Sequence, residues 1–224
     1  MRAVVFAAIL GLGFGPNALA EAAAKVSRHV VVVVWDGMRP DFVTAKNTPA
    51  LWKLAQEGVV FRNHHAVYPS STHVNGTAIV TGMYPGHSGL TANYDYRPDI
   101  DNKKFISTEQ LEVVRKGDEI SGGKYIAVPT ISDLVRAGGG RSAIAAAKTV
   151  GPLLDRRADL DSAGHGVTLF AGESLPREAL APIVSALGPF PLEAPISHAQ
   201  QDAWTTKALT DFFWKDEVPA FSLL

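Results

Sequence analysis

Two short strings carry the residues whose types and spacing suit chemistry. VVVVWDGMRPDF, Val31 to Phe42, places Asp36 after a run of valines, and YPSSTHVNGTAIVTGMYPGHSGL, Tyr68 to Leu90, places Thr72 just ahead of an apolar run. A carboxylate at the carboxyl end of a buried parallel strand sits where open α/β sheets put their ligand sites, so Asp36 is expected to ligate a metal. Its alternative is a loop carboxylate capping neighbouring backbone N–H groups. A hydroxyl at the mouth of a helix faces exposed N–H groups and the positive end of the helix dipole, a setting that stabilises a phosphate or a nascent alkoxide. Thr72 is therefore the candidate nucleophile, with Ser70 and Ser71 as competitors and a plain helix N-cap as the structural alternative. Asn75, in the first helical turn, is placed to donate its amide to a phosphoryl oxygen, and Asn93, in the loop after the helix, to face the substrate.

The elements that must position these residues read as alternating strands and helices. HVVVVVWDG has the continuous β-branched character of a strand buried on both faces, as in parallel sheets covered by helices. Thr48-Pro49 opens a helix with Leu51, Leu54 and Ala55 at helical spacing, and Gly58 ends it before a strand VVFRNHHAVY. A short helix from Val74 stops at Gly82, and Met83 to Lys124 reads as a long run of turns that either shapes a cleft or makes a surface excursion. PTISDLVRAGGG is a helix with Ile131, Leu134 and Val135 on one face, and RSAIAAAKTVG is a strand. Then follow a weak strand VTLFAG, a short helix around Arg177 to Leu187, an amphipathic helix and a strand PAFSLL. The amphipathic helix offers Ala203, Trp204, Ala208, Leu209, Phe212 and Phe213 to the core. The pattern predicts an α/β fold with a parallel-rich sheet.

Composition narrows the partners. The 224 residues are 46% hydrophobic and 19% charged, with a net charge of -1 and no basic runs, so nothing favours nucleic acid or an anionic membrane surface. Cysteine is absent, which removes disulfides and thiolate ligands; a transition metal would be held by Asp, Glu, His or hydroxyl groups, a set suited to zinc or a similar divalent ion. Arg2, the apolar AVVFAAILGLGFG and Ala18-Leu19-Ala20 before Glu21 read as a secretory signal over 1–20, cleaved after Ala20, followed by a flexible stretch 21–28. A periplasmic or secreted protein with no membrane span after cleavage is expected.

Together, VVVVWDGMRPD, TPALWKLAQEGVVFRNHHAVYPSSTHVNGTAIVTGMYPGHSGL and PTISDLVRAGGGRSAIAAAKTVG resemble the N-terminal half of the type I phosphodiesterase and nucleotide pyrophosphatase branch of the alkaline phosphatase superfamily. The resemblance covers Val30 to Val150 well and the remainder loosely. It implies an alkaline-phosphatase-like sheet flanked by helices over 29–224, and two divalent metal ions, zinc, with Asp36 and Thr72 among the ligands. The family pattern of Pro, two residues, Thr, two residues, Asn falls on Pro69, Thr72 and Asn75. The implied reaction is hydrolysis of a small phosphodiester or nucleotide through a phosphothreonine.

The chain also departs from the family. Members supply their remaining ligands from a later Asp-x-x-x-His motif and an Asp-His pair, and the sequence stops at Leu224 before either, so a C-terminally incomplete domain is expected. That leaves a second reading, a catalytically incomplete chain that at most binds an anion. The string Asp161-Ser162-Ala163-Gly164-His165 imitates the missing motif but has no buried strand before it, and reads as a polar turn. Sulfatases and phosphomonoesterases of the superfamily are lesser rivals; sulfatases need a Cys or Ser followed two residues later by Pro and then by Arg, which is missing around Thr72. Among the histidines, His73 is placed to line the pocket, whereas His64, His65 and His87 read as packing, surface or turn residues. Trp35 and Tyr68 either wall the cleft or join the core.

Overall fold

The computed structural model describes residues 29–160, 163–192 and 197–224. The signal expected over 1–20, the stretch 21–28, and Asp161 and Ser162 of the internal Asp-x-x-x-His string lie outside them.

Strands β1 (Val30–Val32), β4 (Ser142–Ala146), β5 (Gly166–Phe170), β6 (Glu173–Leu175) and β7 (Phe221–Leu223) form one five-stranded sheet in the spatial order β1-β7-β4-β5-β6. All neighbours are parallel except β5 and β6. Strands β2 (Tyr94–Asp95) and β3 (Ile106–Ser107) make a separate antiparallel hairpin. The helices are α1 (Pro49–Glu57), α2 (Thr72–Thr81), α3 (Pro85–Ser88), α4 (Leu111–Ser121), α5 (Ile131–Ala137), α6 (Gly151–Leu154), α7 (Leu180–Leu187) and α8 (Ala199–Lys207), the last continuing as a π-helical turn Ala208–Phe213.

The layering follows from the period-two alternation of β4, whose five residues are all buried. Ala143 and Ala145 face one side with Leu169, Ile183, Trp204, Leu209 and Phe213, beneath α7 and α8. Ile144 and Ala146 face the other with Val80, Val114, Leu153, Phe221 and Leu223, beneath α2, α4 and α6. Ile144, Leu153, Leu169 and Leu209 are fully buried, each stabilising the fold by about 1.5–3 kcal/mol. Among the described residues no helix is long and apolar enough to cross a membrane.

Several sequence expectations are corrected here. The valine run is not buried on both faces: regular pairing covers only Val30–Val32, on the sheet edge, with Val31 43% and Trp35 54% exposed. One edge of β1 bonds to β7, and among the described residues no strand lies on its other edge. The segment VVFRNHHAVY forms no strand, and Val59, Val60 and Phe61 are exposed. Met83 to Lys124 is not a run of turns, since it holds α3, the β2–β3 hairpin and α4. Leu134 and Ala203 face solvent rather than the core. Trp35 and Tyr68 are likewise exposed, so neither is a core residue.

Candidate active site

Helix α2 presents the candidate nucleophile on a well-packed base. Val74, Thr77 and Val80 are buried, and Gly82 ends the helix in the left-handed region at φ 65°. Gly76 lets α2 approach α6: a Cβ there would lie 3.3 Å from Leu154 and 3.4 Å from Val150. The helix begins at Thr72, two residues earlier than the apolar run alone predicts, with Ser71 extended at the N-cap. The hydroxyl of Ser71 is buried with no hydrogen-bond partner among the described residues, Ser70 lies in the exposed loop ahead of the helix, and Thr72 is half-buried on the first helical residue.

The two asparagines are held differently. Asn75 turns its carboxamide back onto the loop that leads into the helix: Oδ1 accepts the Val67 N–H at 2.9 Å, and Nδ2 donates to the Ser71 carbonyl at 3.1 Å and to those of Val67 and Pro69 at 3.4 Å. Among the described residues Asn93 uses its carbonyl end alone, accepting the His73 backbone N–H at 3.0 Å. Its Nδ2 group therefore lies beside the first turn of α2.

Sequence reasoning overlooked a buried polar cluster behind this turn. His73 is 8% exposed, and its Nδ1 lies 3.0 Å from the Thr108 hydroxyl and 3.4 Å from Glu109 Oε2. Burial pushes the His73 ring below its ordinary pKa, against the Glu109 carboxylate and the Asn93 contact, which act to raise it. Glu109 also accepts the Ser107 hydroxyl at 2.5 Å and the Thr149 hydroxyl at 3.4 Å. No local pattern reveals Glu109, because its partners come from α2, the hairpin and the loop after β4.

Asp36 lies beyond the carboxyl end of β1, where Val34 still donates to the Leu224 carbonyl at 2.8 Å. Its carboxylate forms an ion pair with Lys148, which follows β4 at the same edge of the sheet, and both side chains are more than half exposed. The strand-end rule that singles out Asp36 applies equally to Lys148 after SAIAA, and that was the available signal. Thr149, next in the chain, meets Glu109, so Asp36 and Thr72 are connected through Lys148, Thr149, Glu109 and His73. Asp36 and Thr72 are oxygen donors of the kind zinc accepts, but a zinc ion takes four ligands, and the described residues hold no group of three or more His, Cys, Asp or Glu suited to a metal. They do not make a complete metal centre by themselves.

Known proteins resemble the chain in sequence and in fold. The family model for type I phosphodiesterase / nucleotide pyrophosphatase matches residues 30–219. An uncharacterized pyrophosphatase/phosphodiesterase of Schizosaccharomyces pombe is 34% identical over 79 residues, which are 35% of this chain and 16% of that protein. The bis(5'-adenosyl)-triphosphatase ENPP4 of Bos taurus is 33% identical over 78 residues, covering 35% of this chain and 17% of that one. Among solved structures, phosphonoacetate hydrolase from Sinorhizobium meliloti 1021, in complex with phosphonoformate, superposes with a TM-score of 0.66 at 24% identity, over 88% of this chain and 46% of that chain. The chain thus shares the fold of that enzyme over less than half of the enzyme's length.

Proposed function

This chain belongs to the type I phosphodiesterase / nucleotide pyrophosphatase family, and from that premise we propose that it hydrolyses a phosphodiester or pyrophosphate bond with Thr72 as nucleophile. The observation that carries the reading is the place of Thr72 on the first residue of α2. Of the three adjacent hydroxyls, that of Ser71 is buried and that of Ser70 lies outside the helix, while that of Thr72 heads the ten-residue helix α2, where N–H groups and the helix dipole favour a phosphoryl group. The Thr72 oxygen attacks phosphorus in line. Its bond to phosphorus forms as the ester bond breaks, and the hydroxyl proton leaves with the departing alcohol. Water then cleaves the phosphothreonine, releasing the phosphomonoester and restoring the hydroxyl.

Asn93 takes the role of phosphoryl-oxygen donor in this scheme, because its Oδ1 is anchored by the His73 backbone N–H, the peptide that follows Thr72, which sets its Nδ2 at the first turn of α2. Asn75, whose carboxamide is bonded to the main chain, shapes the approach to the helix instead. The expected cofactors are two divalent ions, zinc by family resemblance, with Asp36 and Thr72 among the ligands; when bound they supply hydroxyl activation and charge neutralisation. The substrate class is a small phosphodiester or nucleotide, in keeping with the adenosyl triphosphatase name of the bovine relative.

The partial donor set favours one second reading, a chain that binds a phosphate-like anion without turning it over. Assay of bis(p-nitrophenyl) phosphate with and without zinc separates the two. The proposal expects zinc-dependent release of nitrophenol that falls at least about a thousandfold in Thr72→Ala. Full activity in that variant would remove Thr72 from the mechanism, and phosphate binding without hydrolysis would favour the second reading.

A further inference from the structure

The contacts of Glu109 have no part in the reaction chemistry, yet they converge on the residue bonded to Thr72. The Glu109 side chain is only 12% exposed, and a carboxylate so buried is costly unless its oxygens are engaged. Oε2 accepts the Ser107 hydroxyl at 2.5 Å and faces His73 Nδ1 at 3.4 Å, while Oε1 accepts from Thr149 at 3.4 Å. The single hydroxyl proton of Thr108 is directed at the carbonyls of Ala92 and Asn93, at 3.0 and 3.1 Å. Its oxygen must therefore accept from His73 Nδ1, which assigns the ring proton to that nitrogen and turns it toward Glu109 as well.

The ring of His73 is thus held by Thr108 and Glu109 while its backbone N–H is held by Asn93, and all three partners lie in or beside the β2–β3 hairpin. At 8% exposure the residue is buried, with ring Nδ1 turned toward Thr108 and Glu109. We infer that Glu109 is a positioning residue for Thr72: through His73 it fixes the first turn of α2 against the hairpin and against Thr149, the neighbour of the lysine that holds Asp36. A turn free to rock would carry the Thr72 oxygen off the line of attack, and misplacement by about 1 Å costs on the order of a hundredfold in rate. The consequence for turnover rests on Thr72 being the nucleophile; the geometric part stands without it.

The test uses the whole chain and two variants, Glu109→Ala, which removes both acceptors, and Glu109→Gln, which keeps one acceptor and the volume. Hydrogen–deuterium exchange over 70–77 is the first readout. Glu109→Ala should speed exchange of the His73 amide at least about tenfold while α7 and α8 keep wild-type protection, and Glu109→Gln should stay within about threefold of wild type. Unchanged exchange at His73, or a rise shared equally by α7 and α8, overturns the inference. Turnover of bis(p-nitrophenyl) phosphate is the second readout. In Glu109→Ala, kcat should fall at least about tenfold with KM within about threefold, and Glu109→Gln should recover most of the loss. If Thr72→Ala abolishes turnover but Glu109→Ala leaves kcat intact, the positioning role fails and the nucleophile stands. If neither the wild type nor any variant turns over but the exchange result holds, the family reaction fails for this chain and the anchoring of the turn stands.

Discussion

At the scale of residues, Asn75 and Asn93 present the same carboxamide to the same helix but are anchored differently, and the proposed roles follow that difference. Asn75 is bonded at both ends to the main chain between Val67 and Ser71, so its truncation removes a loop staple. Asn93 is bonded at its carbonyl end to His73, so its truncation removes an amide beside Thr72. Asn93→Ala should lower kcat for an aryl phosphodiester by about a hundredfold and, by leaving the His73 N–H unpaired, also cost about 1 kcal/mol in urea unfolding. Asn75→Ala should chiefly destabilise, by about 1–3 kcal/mol in urea unfolding. The reverse pattern, with turnover lost only in Asn75→Ala, would exchange the two assignments. The sequence marks both asparagines by position, but their different anchoring comes from partners in the loop and hairpin that spacing along the chain does not reveal.

At the scale of elements, the alternation of strand and helix was legible wherever an element packs through a continuous apolar face. β4 and β7 are wholly buried and read as strands from their composition, and α5 was visible from Pro129 and the glycines behind it. α4 was missed because LEVVRKGDEIS buries only Val114 and Gly117 completely, and Gly117 serves as a gap for the Tyr125 ring, where a Cβ would fall 2.0 Å away. The valine run and Val59 to Phe61 misled in the opposite direction, since β-branched composition does not guarantee a partner strand.

α5 also carries a polar network that makes a prediction at this scale. Thr130 and Asp133 form a reciprocal capping box, and Arg136 makes a two-pronged bond to the buried Asp155 at 2.6 and 2.8 Å while reaching Asp133 at 2.9 Å. Burial raises the Asp133 pKa, but the Thr130 N–H and hydroxyl, with Arg157 and Arg136, outweigh it and hold the carboxyl below its ordinary 3.8. A depressed carboxylate stabilises the fold fully above its unfolded value and loses that contribution as pH falls through the folded value. Asp133→Asn should therefore be less stable than wild type by about 1 kcal/mol at pH 7, with the gap closing below 3.8 in pH-dependent urea melts. A gap that widens in acid would contradict this account. Arg136→Ala, which strands Asp155 in the interior, should cost about 3–5 kcal/mol in the same measurement.

At the scale of the whole molecule, the site straddles a packed region and an open one. Thr72 sits on a helix whose buried face joins the main core beneath β4 and β7. Asp36 follows an edge strand in a region where Val31, Trp35 and Phe61 are exposed, and its ion pair with Lys148, at the surface, is worth about 0–1 kcal/mol. The described residues therefore organise Thr72, the proposed nucleophile, and Asn93, its proposed phosphate contact, more firmly than the candidate metal ligand.

The most direct test of the central claim is to quench the zinc-supplemented chain in acid during reaction with an aryl phosphodiester and locate the adduct by peptide mass spectrometry. The account predicts a phosphoryl ester on Thr72 and on neither Ser70 nor Ser71, absent from Thr72→Ala. An adduct on either serine, or sustained turnover with Thr72 unmodified, would contradict it.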